Sequence, residues 1–380
     1  MAVMLITSLI CISDPPTIGF LVVLPIAKDT ALVRSSGAGD NKPGKGFFLF
    51  MLIIHKAESA RFLQRELMVK GVSSQAVARC GTRVDDGLLS EDDVIKLCYG
   101  SVTVFDPIRL SAGSGVIESA VSTFCQMARE RRFENPWPLI VWDISGDAPH
   151  RLPKVEKRIQ TGIRPVMSRV AKLTTDKEPL GETANGFFVV IADGNYACAG
   201  EMCRFSGKRR MRDDPKAPSR SYLKVEEAYG LIGREPREGE TVADLGAAPG
   251  GWSYSAAKRG ALVTAVDNGP LKGAVGSMRN VRHLKEDAFV FKPHKNQTYD
   301  WLFCDIVDTS SRSLALVEKW AASHWCNAFI VNLKIGRTDP IPIIESLKDD
   351  THPLRGKCSQ FVCTELYHDR EEVTIAGILD

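Results

Sequence analysis

The sequence predicts an α/β protein whose carboxyl-terminal part is a doubly wound, mostly parallel sheet preceded by smaller α+β regions. Three observations carry this. At 380 residues the chain is too long for one ordinary domain. From Tyr222 onward short apolar runs alternate with helical patterns, which calls for a mostly parallel sheet covered on both faces. Ahead of Tyr222 strand-like and helix-like stretches also alternate, in smaller units.

Composition bounds the function without naming it. A hydrophobic share of 44% and a charged share of 25% exclude collagen-like, disordered and polytopic membrane chains. Lys and Arg total 49 against 46 Asp and Glu, so a net charge of +3 offers no uniform field for nucleic acid. A polyanionic partner has to be met by a local patch. None of the ten cysteines lies at the two-residue spacing of a zinc knuckle or redox motif. They read as free thiols in a reducing cytosol, with no metal site.

Residues 1–46 read as an extension and linker. The first 27 residues carry one charge, Asp14, and the first basic residue is Lys28, so the basic start of a signal peptide is missing. The apolar run 19–27 is too short, and too interrupted by proline and glycine, to span a bilayer. Residues 47–99 read as a small α/β region: a buried strand at 47–54, then helical spacing from Glu58 to Lys70 closed by Gly71.

Within 100–203, Leu139–Asp143 and Gly186–Ala192 read as strands. Between them, 153–172 has a basic helical pattern that Pro165 kinks or splits. Val155, Ile159, Ile163, Val166 and Val170 are expected on one side, with Lys157, Arg158, Arg164, Arg169 and Lys172 elsewhere. Those cations fit a solvated helix face or a surface that meets nucleic acid. Residues 204–220 hold seven basic side chains against Asp213 and Asp214, and Pro215 and Pro218 make the stretch a loop. Such a connector suits phosphate contact or serves as a plain linker.

In 221–380 the expected strands are Thr241–Ala247, Leu262–Asp267, Tyr299–Asp305 and Ala328–Lys334. Gln360–Tyr367 and Glu372–Leu379 follow as an antiparallel hairpin at a sheet edge. The sharpest local signal is Asp244–Trp252, a strand running through Gly246, Gly250 and Gly251 into a helix. It brings free backbone N–H groups to the strand's carboxyl end. The dinucleotide pattern Gly-x-Gly-x-x-Gly is absent, since Gly246 is followed by two alanines and Pro249. Asp267 ends the next strand, where it can bind ribose hydroxyls, and Asp287 after a third strand can read an adenine amino group. By itself this spacing supports only a nucleotide-like cofactor.

The stretch Asp244–Trp252 resembles motif I of S-adenosylmethionine-dependent ribose 2′-O-methyltransferases. With Ala217–Tyr229, Val266–Pro270 and Leu366–Thr374 it resembles the RlmM family of large-subunit rRNA cytidine 2′-O-methyltransferases. The likeness is dense from Ala217 to Thr374. It implies a Rossmann-type methyltransferase domain over 221–380, preceded by a ferredoxin-like region at 47–99, a THUMP-like RNA-binding domain at 100–203 and the basic connector at 204–220. It also implies a catalytic tetrad of Lys224, Asp305, Lys334 and Glu372, with Lys334 accepting the proton, Asp305 and Lys224 tuning and positioning it, and Glu372 orienting. Cofactor contacts implied for S-adenosylmethionine are Ser221, Ala248, Pro249, Gly250, Gly251, Asp267, Asp287 and Asp305. Family members can carry Cys where this chain has Ala248. The chain end, Ala376–Asp380, lacks the basic tail the family leads one to expect.

The implied partner is large-subunit rRNA, naked or in an early precursor particle, with no membrane and no metal. A cytoplasmic monomer is expected. Rival readings are the same chemistry on tRNA or a capped message, a non-catalytic RNA-binding assembly factor, and an NAD-dependent dehydrogenase. The Pro249-Gly-Gly turn disfavours the last.

Overall fold

A computed structural model describes residues 48, 50–85, 89–130, 136–179, 182–336 and 338–380. The extension expected over 1–46, and Arg337, lie outside the described residues.

The amino-terminal strands are β1 (Met51–Ile54), β2 (Ser74–Ala78), β3 (Gly81–Val84), β4 (Val102–Phe105), β5 (Ile108–Arg109), β6 (Trp137–Asp143), β7 (His150–Arg151), β8 (Thr174–Thr175), β9 (Thr183–Ala192) and β10 (Tyr196–Phe205). They form one ten-stranded sheet in the order β2-β3-β1-β4-β10-β9-β6-β7, with β5 beside β10 and β8 beside β6. The division expected between residues 99 and 100 falls inside this sheet, because β4 pairs with both β1 and β10. Strand periodicity explains how one sheet serves separate cores. Leu52 and Ile54 join Ile140, Trp142, Phe188 and Val190 in one cluster. Leu139, Val141, Phe187 and Val189 point the other way, toward helices α3 (Val116–Glu130) and α4 (Pro153–Ile163). Met51 and Ile53 pack on α1 (Ala60–Val69).

A short helix α2 (Glu91–Ile95) precedes α3, and the helix expected over 153–172 is broken, as Pro165 requires: α4 ends at Ile163 and the next helix is α5 (Ser168–Ala171). One detail needs correction. Val166, expected on the apolar side, falls in the break and is 56% exposed. The first strand also starts later than expected, at Met51.

The carboxyl-terminal sheet contains β11 (Thr241–Leu245), β12 (Leu262–Val266), β13 (Val281–Leu284), β14 (Tyr299–Cys304), β15 (Cys326–Lys334), β16 (Cys358–Thr364) and β17 (Glu372–Leu379). Its order is β13-β12-β11-β14-β15-β17-β16. Pairings from β13 to β15 are parallel, and β17 inserts antiparallel between β15 and the edge strand β16. Alternate residues face opposite layers. Val242, Trp301, Phe303 and Ile330 meet α6 (Tyr222–Ile232) and α7 (Gly251–Ala257). Leu245, Leu302, Phe329 and Val331 meet α8 (Ser310–Ala322) and α9 (Ile341–Lys348). The doubly wound arrangement follows.

The two sheets share a cluster. Leu63 and Leu67 of α1, with Leu97 and Tyr99, pack with Ile341 and Ile344 of α9 and Val373 of β17. No helix among the described residues is long and apolar enough to cross a membrane.

Candidate active site

Strand register assembles the site. Side chains two apart on a strand share a face, so Asn332 and Lys334 of β15 point together, as do Glu372 and Thr374 of β17. The antiparallel pairing sets Lys334 opposite Glu372 and Asn332 opposite Thr374. Asp305 follows β14, one step beyond the Cys304–Val331 pair and so level with Asn332. Lys224 comes from the first turn of α6. Four expected residues thus reach one place from four elements.

Lys334 Nζ donates to Asp305 Oδ1 at 2.5 Å and to Glu372 Oε1 at 2.7 Å. Lys224 Nζ donates to the other Glu372 oxygen and lies 3.9 Å from Asp369 Oδ1. The side chains of Lys224, Glu372, Asp305 and Lys334 are 12%, 15%, 17% and 19% exposed. That is shielded enough for charge to act strongly, yet open to a substrate. Burial would lower the Lys334 pKa, but the facing carboxylates of Asp305 and Glu372 outweigh it and hold the ammonium above its ordinary value. Burial likewise pushes Glu372 up, and the two lysines bring it below the usual carboxylate value.

Three residues that the sequence reading did not single out complete the network. Asn332 Nδ2 donates to Asp305 Oδ1 at 3.2 Å and to Glu372 Oε2 at 3.1 Å. Thr374 Oγ1 lies 2.6 Å from Asn332 Oδ1 and 2.9 Å from Asp369 Oδ2. Asn332 is thereby held with its amide toward the acids. Asp369 is buried, and burial lifts its carboxyl to about 7 despite the nearby Lys224. Period-two spacing from Lys334 and Glu372 is the signal that would have found Asn332 and Thr374.

The glycine-rich turn lies at the same edge. Asp267 accepts the Ala248 amide at 3.0 Å and the Gly269 amide at 2.7 Å, which leaves carboxylate lone pairs for a diol. Gly250 adopts φ of 109°, and a Cβ there would lie 2.6 Å from Val275 Cγ1. At Gly251 a Cβ would meet Ser221 Oγ at 2.5 Å. The Ser221 carbonyl also accepts Trp252 Nε1 at 3.0 Å, so the start of α6 is tied to the turn. Asp287 stands exposed on the loop after β13 and accepts the Phe289 amide at 2.8 Å.

Asp244, Asp267 and Asp305 cluster at the ends of adjacent strands. Burial raises Asp244 to about 7, with Asp305 and Asp267 adding repulsion. Its Oδ1 is buried without a hydrogen-bond partner. The partly exposed Asp267 and Asp305 give this edge an acidic character above the fully buried Asp244, which suits a ligand that brings positive charge and hydrogen-bond donors.

The basic connector is built into the fold at several points. Lys208 Nζ donates to the Cys98 carbonyl at 2.5 Å, the Arg209 amide to Glu227 Oε1 at 3.1 Å, and the Met211 amide to His368 Nε2 at 3.0 Å. Burial and the neighbouring Arg220, Lys56 and Arg210 depress His368 to about 4, so its ring is neutral and can accept. Arg210, Arg212 and Arg220 are exposed, as are Lys157, Arg158, Arg164, Arg169 and Lys172 on and around α4 and α5.

The fold around this site is a doubly wound α/β domain, and residues 217–333 match the model of the FtsJ-like methyltransferase family. Over part of its length the chain is similar to proteins named ribosomal RNA large subunit methyltransferase M. It is 37% identical over 232 residues to that protein from Pseudomonas syringae pv. syringae (strain B728a), covering 57% of this chain and 63% of the relative. To that from Halorhodospira halophila (strain DSM 244 / SL1) it is 41% identical over 173 residues, covering 45% of this chain and 50% of the relative. The chain therefore spans less than two thirds of the relatives it matches. Among solved structures, TrmN from Thermus thermophilus aligns over 87% of this chain and 99% of its own at 15% identity and a TM-score of 0.33.

Proposed function

We propose that this chain transfers a methyl group from S-adenosylmethionine to the ribose 2′-hydroxyl of a cytidine in large-subunit rRNA. The observation that carries the reading is Lys334 held between Asp305 and Glu372, with Lys224 on the far oxygen of Glu372. An amine in a shielded acidic clamp beside a glycine-rich turn suits a reaction that must remove a hydroxyl proton next to a methyl donor.

The cofactor supplies an electrophilic methyl on a sulfonium. Ser221, Ala248, Pro249, Gly250 and Gly251 would line its bed, Asp267 would take the ribose hydroxyls and Asp287 the adenine amino group. Asp305 bridges that bed and the base. Lys334, once neutral, takes the 2′-hydroxyl proton as the oxygen is methylated. The proton then resides on Nζ between two carboxylates that stabilise it. Glu372 and Asn332 orient the amine, and in-line geometry supplies much of the acceleration through proximity. Since the clamp holds Lys334 charged, kcat is expected to climb by about tenfold per pH unit below the lysine's pKa. A pH–rate profile at saturating cofactor checks this.

Residues 47–203 we read as the RNA-presenting part, ferredoxin-like over 47–99 then THUMP-like over 100–203, in a cytoplasmic monomer. Exposed Arg210, Arg212 and Arg220 support phosphate contact by the connector, whereas Lys208 is engaged in the fold. Changing the three arginines to Gln is expected to weaken RNA binding and flatten the slope of log K against log salt by about two. Lys208→Met is expected to lower stability and leave that slope alone. Fluorescence anisotropy across a salt series separates the two.

The decisive experiment supplies labelled S-adenosylmethionine and undermodified large-subunit rRNA. The expected product carries label at one cytidine whose 3′ linkage resists alkali, because a methylated 2′-oxygen cannot attack the phosphate. Label on a base, or on tRNA in preference to rRNA, would overturn the reading.

A further inference from the structure

The catalytic network ends in the turn 365–371 between β16 and β17, and this turn is gripped by the amino-terminal sheet. Lys56, two residues beyond β1, donates from Nζ to the carbonyls of Leu366 at 3.1 Å and Asp369 at 2.7 Å. The same ammonium lies 3.2 Å from Glu365 Oε1, which also accepts Ser59 Oγ at 2.7 Å. The ammonium thus donates to two backbone carbonyls of the turn while its charge faces Glu365 and, at 3.5 Å, Glu58. Lys56 is 8% exposed, so these bonds face little competition from water.

What Lys56 grips leads directly to the tetrad. Asp369 Oδ2 accepts the Leu366 amide at 2.9 Å, which folds the turn on itself, and lies 2.9 Å from Thr374 Oγ1. The other Asp369 oxygen faces Lys224 at 3.9 Å, and Glu372, bonded to both tetrad lysines, lies three residues on. The path from Lys56 to Glu372 is therefore a short run of backbone held at both ends.

We propose that Lys56 is a positioning residue for methyl transfer: by fixing the turn 365–371 it sets Asp369 and Glu372 around Lys224, so the tetrad is complete only when the amino-terminal sheet is seated. This rests on the functional reading above. It makes the amino-terminal region part of the machinery that shapes the site, beyond any role in holding RNA.

Mere docking of the two regions is the rival account, and the same interface provides its control. Lys348 of α9 donates to Glu66 of α1 and lies 3.6 Å from Glu345; it bonds no residue of the turn itself and is linked to it only indirectly, through the Cys98 amide on Glu66 and the Glu365 amide on the Cys98 carbonyl.

The test compares Lys56→Met, Lys56→Arg, Ser59→Ala and Lys348→Met in the full chain. It measures steady-state methyl transfer and hydrogen exchange of peptides covering 365–372. For Lys56→Met, kcat is expected to fall by about tenfold or more, with KM for RNA and cofactor within about threefold and exchange of the turn accelerated. Lys56→Arg restores part of kcat. Ser59→Ala gives a smaller change in the same direction, which keeps the test alive if Lys56→Met fails to fold. Lys348→Met leaves kcat within about twofold and the turn's exchange unchanged. Unchanged kcat or exchange in Lys56→Met, or an equal kcat loss in Lys348→Met, overturns the proposal. If the wild-type chain transfers no methyl to ribose, the functional reading fails, and the exchange comparison still decides whether Lys56 holds the turn.

Discussion

Lys334→Ala is expected to lower kcat by about a thousandfold while cofactor binding stays close to wild type, because general-base catalysis is typically worth 10²–10⁴. The amine ends β15 at the one place where Asp305 and Glu372 both reach it. Truncation leaves the acids without their shared cation and the 2′-hydroxyl without an acceptor. Lys334→Arg sharpens the test. A guanidinium keeps the charge and can bond both carboxylates, but it does not surrender its proton in this pH range. If the role of Lys334 were to hold the acids together, Arg would preserve activity. If it accepts the proton, Arg is nearly as inactive as Ala while unfolding at a similar denaturant concentration to wild type. Single-turnover transfer from labelled S-adenosylmethionine, with calorimetry for cofactor binding, distinguishes the outcomes. Activity in Lys334→Ala within tenfold of wild type would remove it from the catalytic role.

The strands of this arrangement are legible in the chain because they depend on local pattern, whereas the tetrad itself is implied by the family resemblance. The runs that became β11, β12, β14 and β15 are apolar segments of strand length, and Asp305 and Lys334 sit at their ends without any knowledge of pairing. Residues such as Asn332 and Asp369 act through neighbours supplied by register, which a one-dimensional pattern does not carry. Asn332 looks like one polar interruption in an apolar strand until β17 is laid antiparallel beside it and Thr374 and Glu372 arrive opposite. Lys56 is less legible still, since the turn carbonyls it binds lie more than 300 positions away. The same reasoning explains the 99/100 division. Tyr99 and Gly100 do lie between elements, but whether β4 joins the strands before it or those after it is a question of hydrogen-bond partners, and it joins both. Charge had a comparable limit. The connector's seven basic residues look alike in sequence, yet Lys208 is spent on the Cys98 carbonyl while Arg210 and Arg212 stay in solvent.

Glu372→Gln is expected to have two effects of different sign, which makes it more diagnostic than simple loss. Glu372 is the one carboxylate that bonds both lysines of the tetrad. Neutralising it removes an anion that holds the Lys334 ammonium above its ordinary value, while Lys224 remains nearby as a repelling cation. The Lys334 pKa must therefore fall, and the rising limb of the pH–rate profile should move toward neutral pH. The plateau should drop by about tenfold to a hundredfold, because the amide no longer orients the amine with equal strength. Stability follows the opposite logic. The lysines bring Glu372 below the ordinary carboxylate pKa, so its contribution is full above that value and fades as pH falls through the folded-state pKa. At neutral pH the variant should be destabilised by about 3 kcal/mol, the lower end for breaking a shielded ion pair. That deficit should shrink at acid pH, where the wild-type carboxylate also takes up a proton. Urea unfolding at neutral and acid pH, run beside the pH–rate profile, reads both effects on one variant. A profile shifted to alkaline pH, or a stability deficit that grows on acidification, would contradict a Glu372 that is ionised and shared between Lys224 and Lys334.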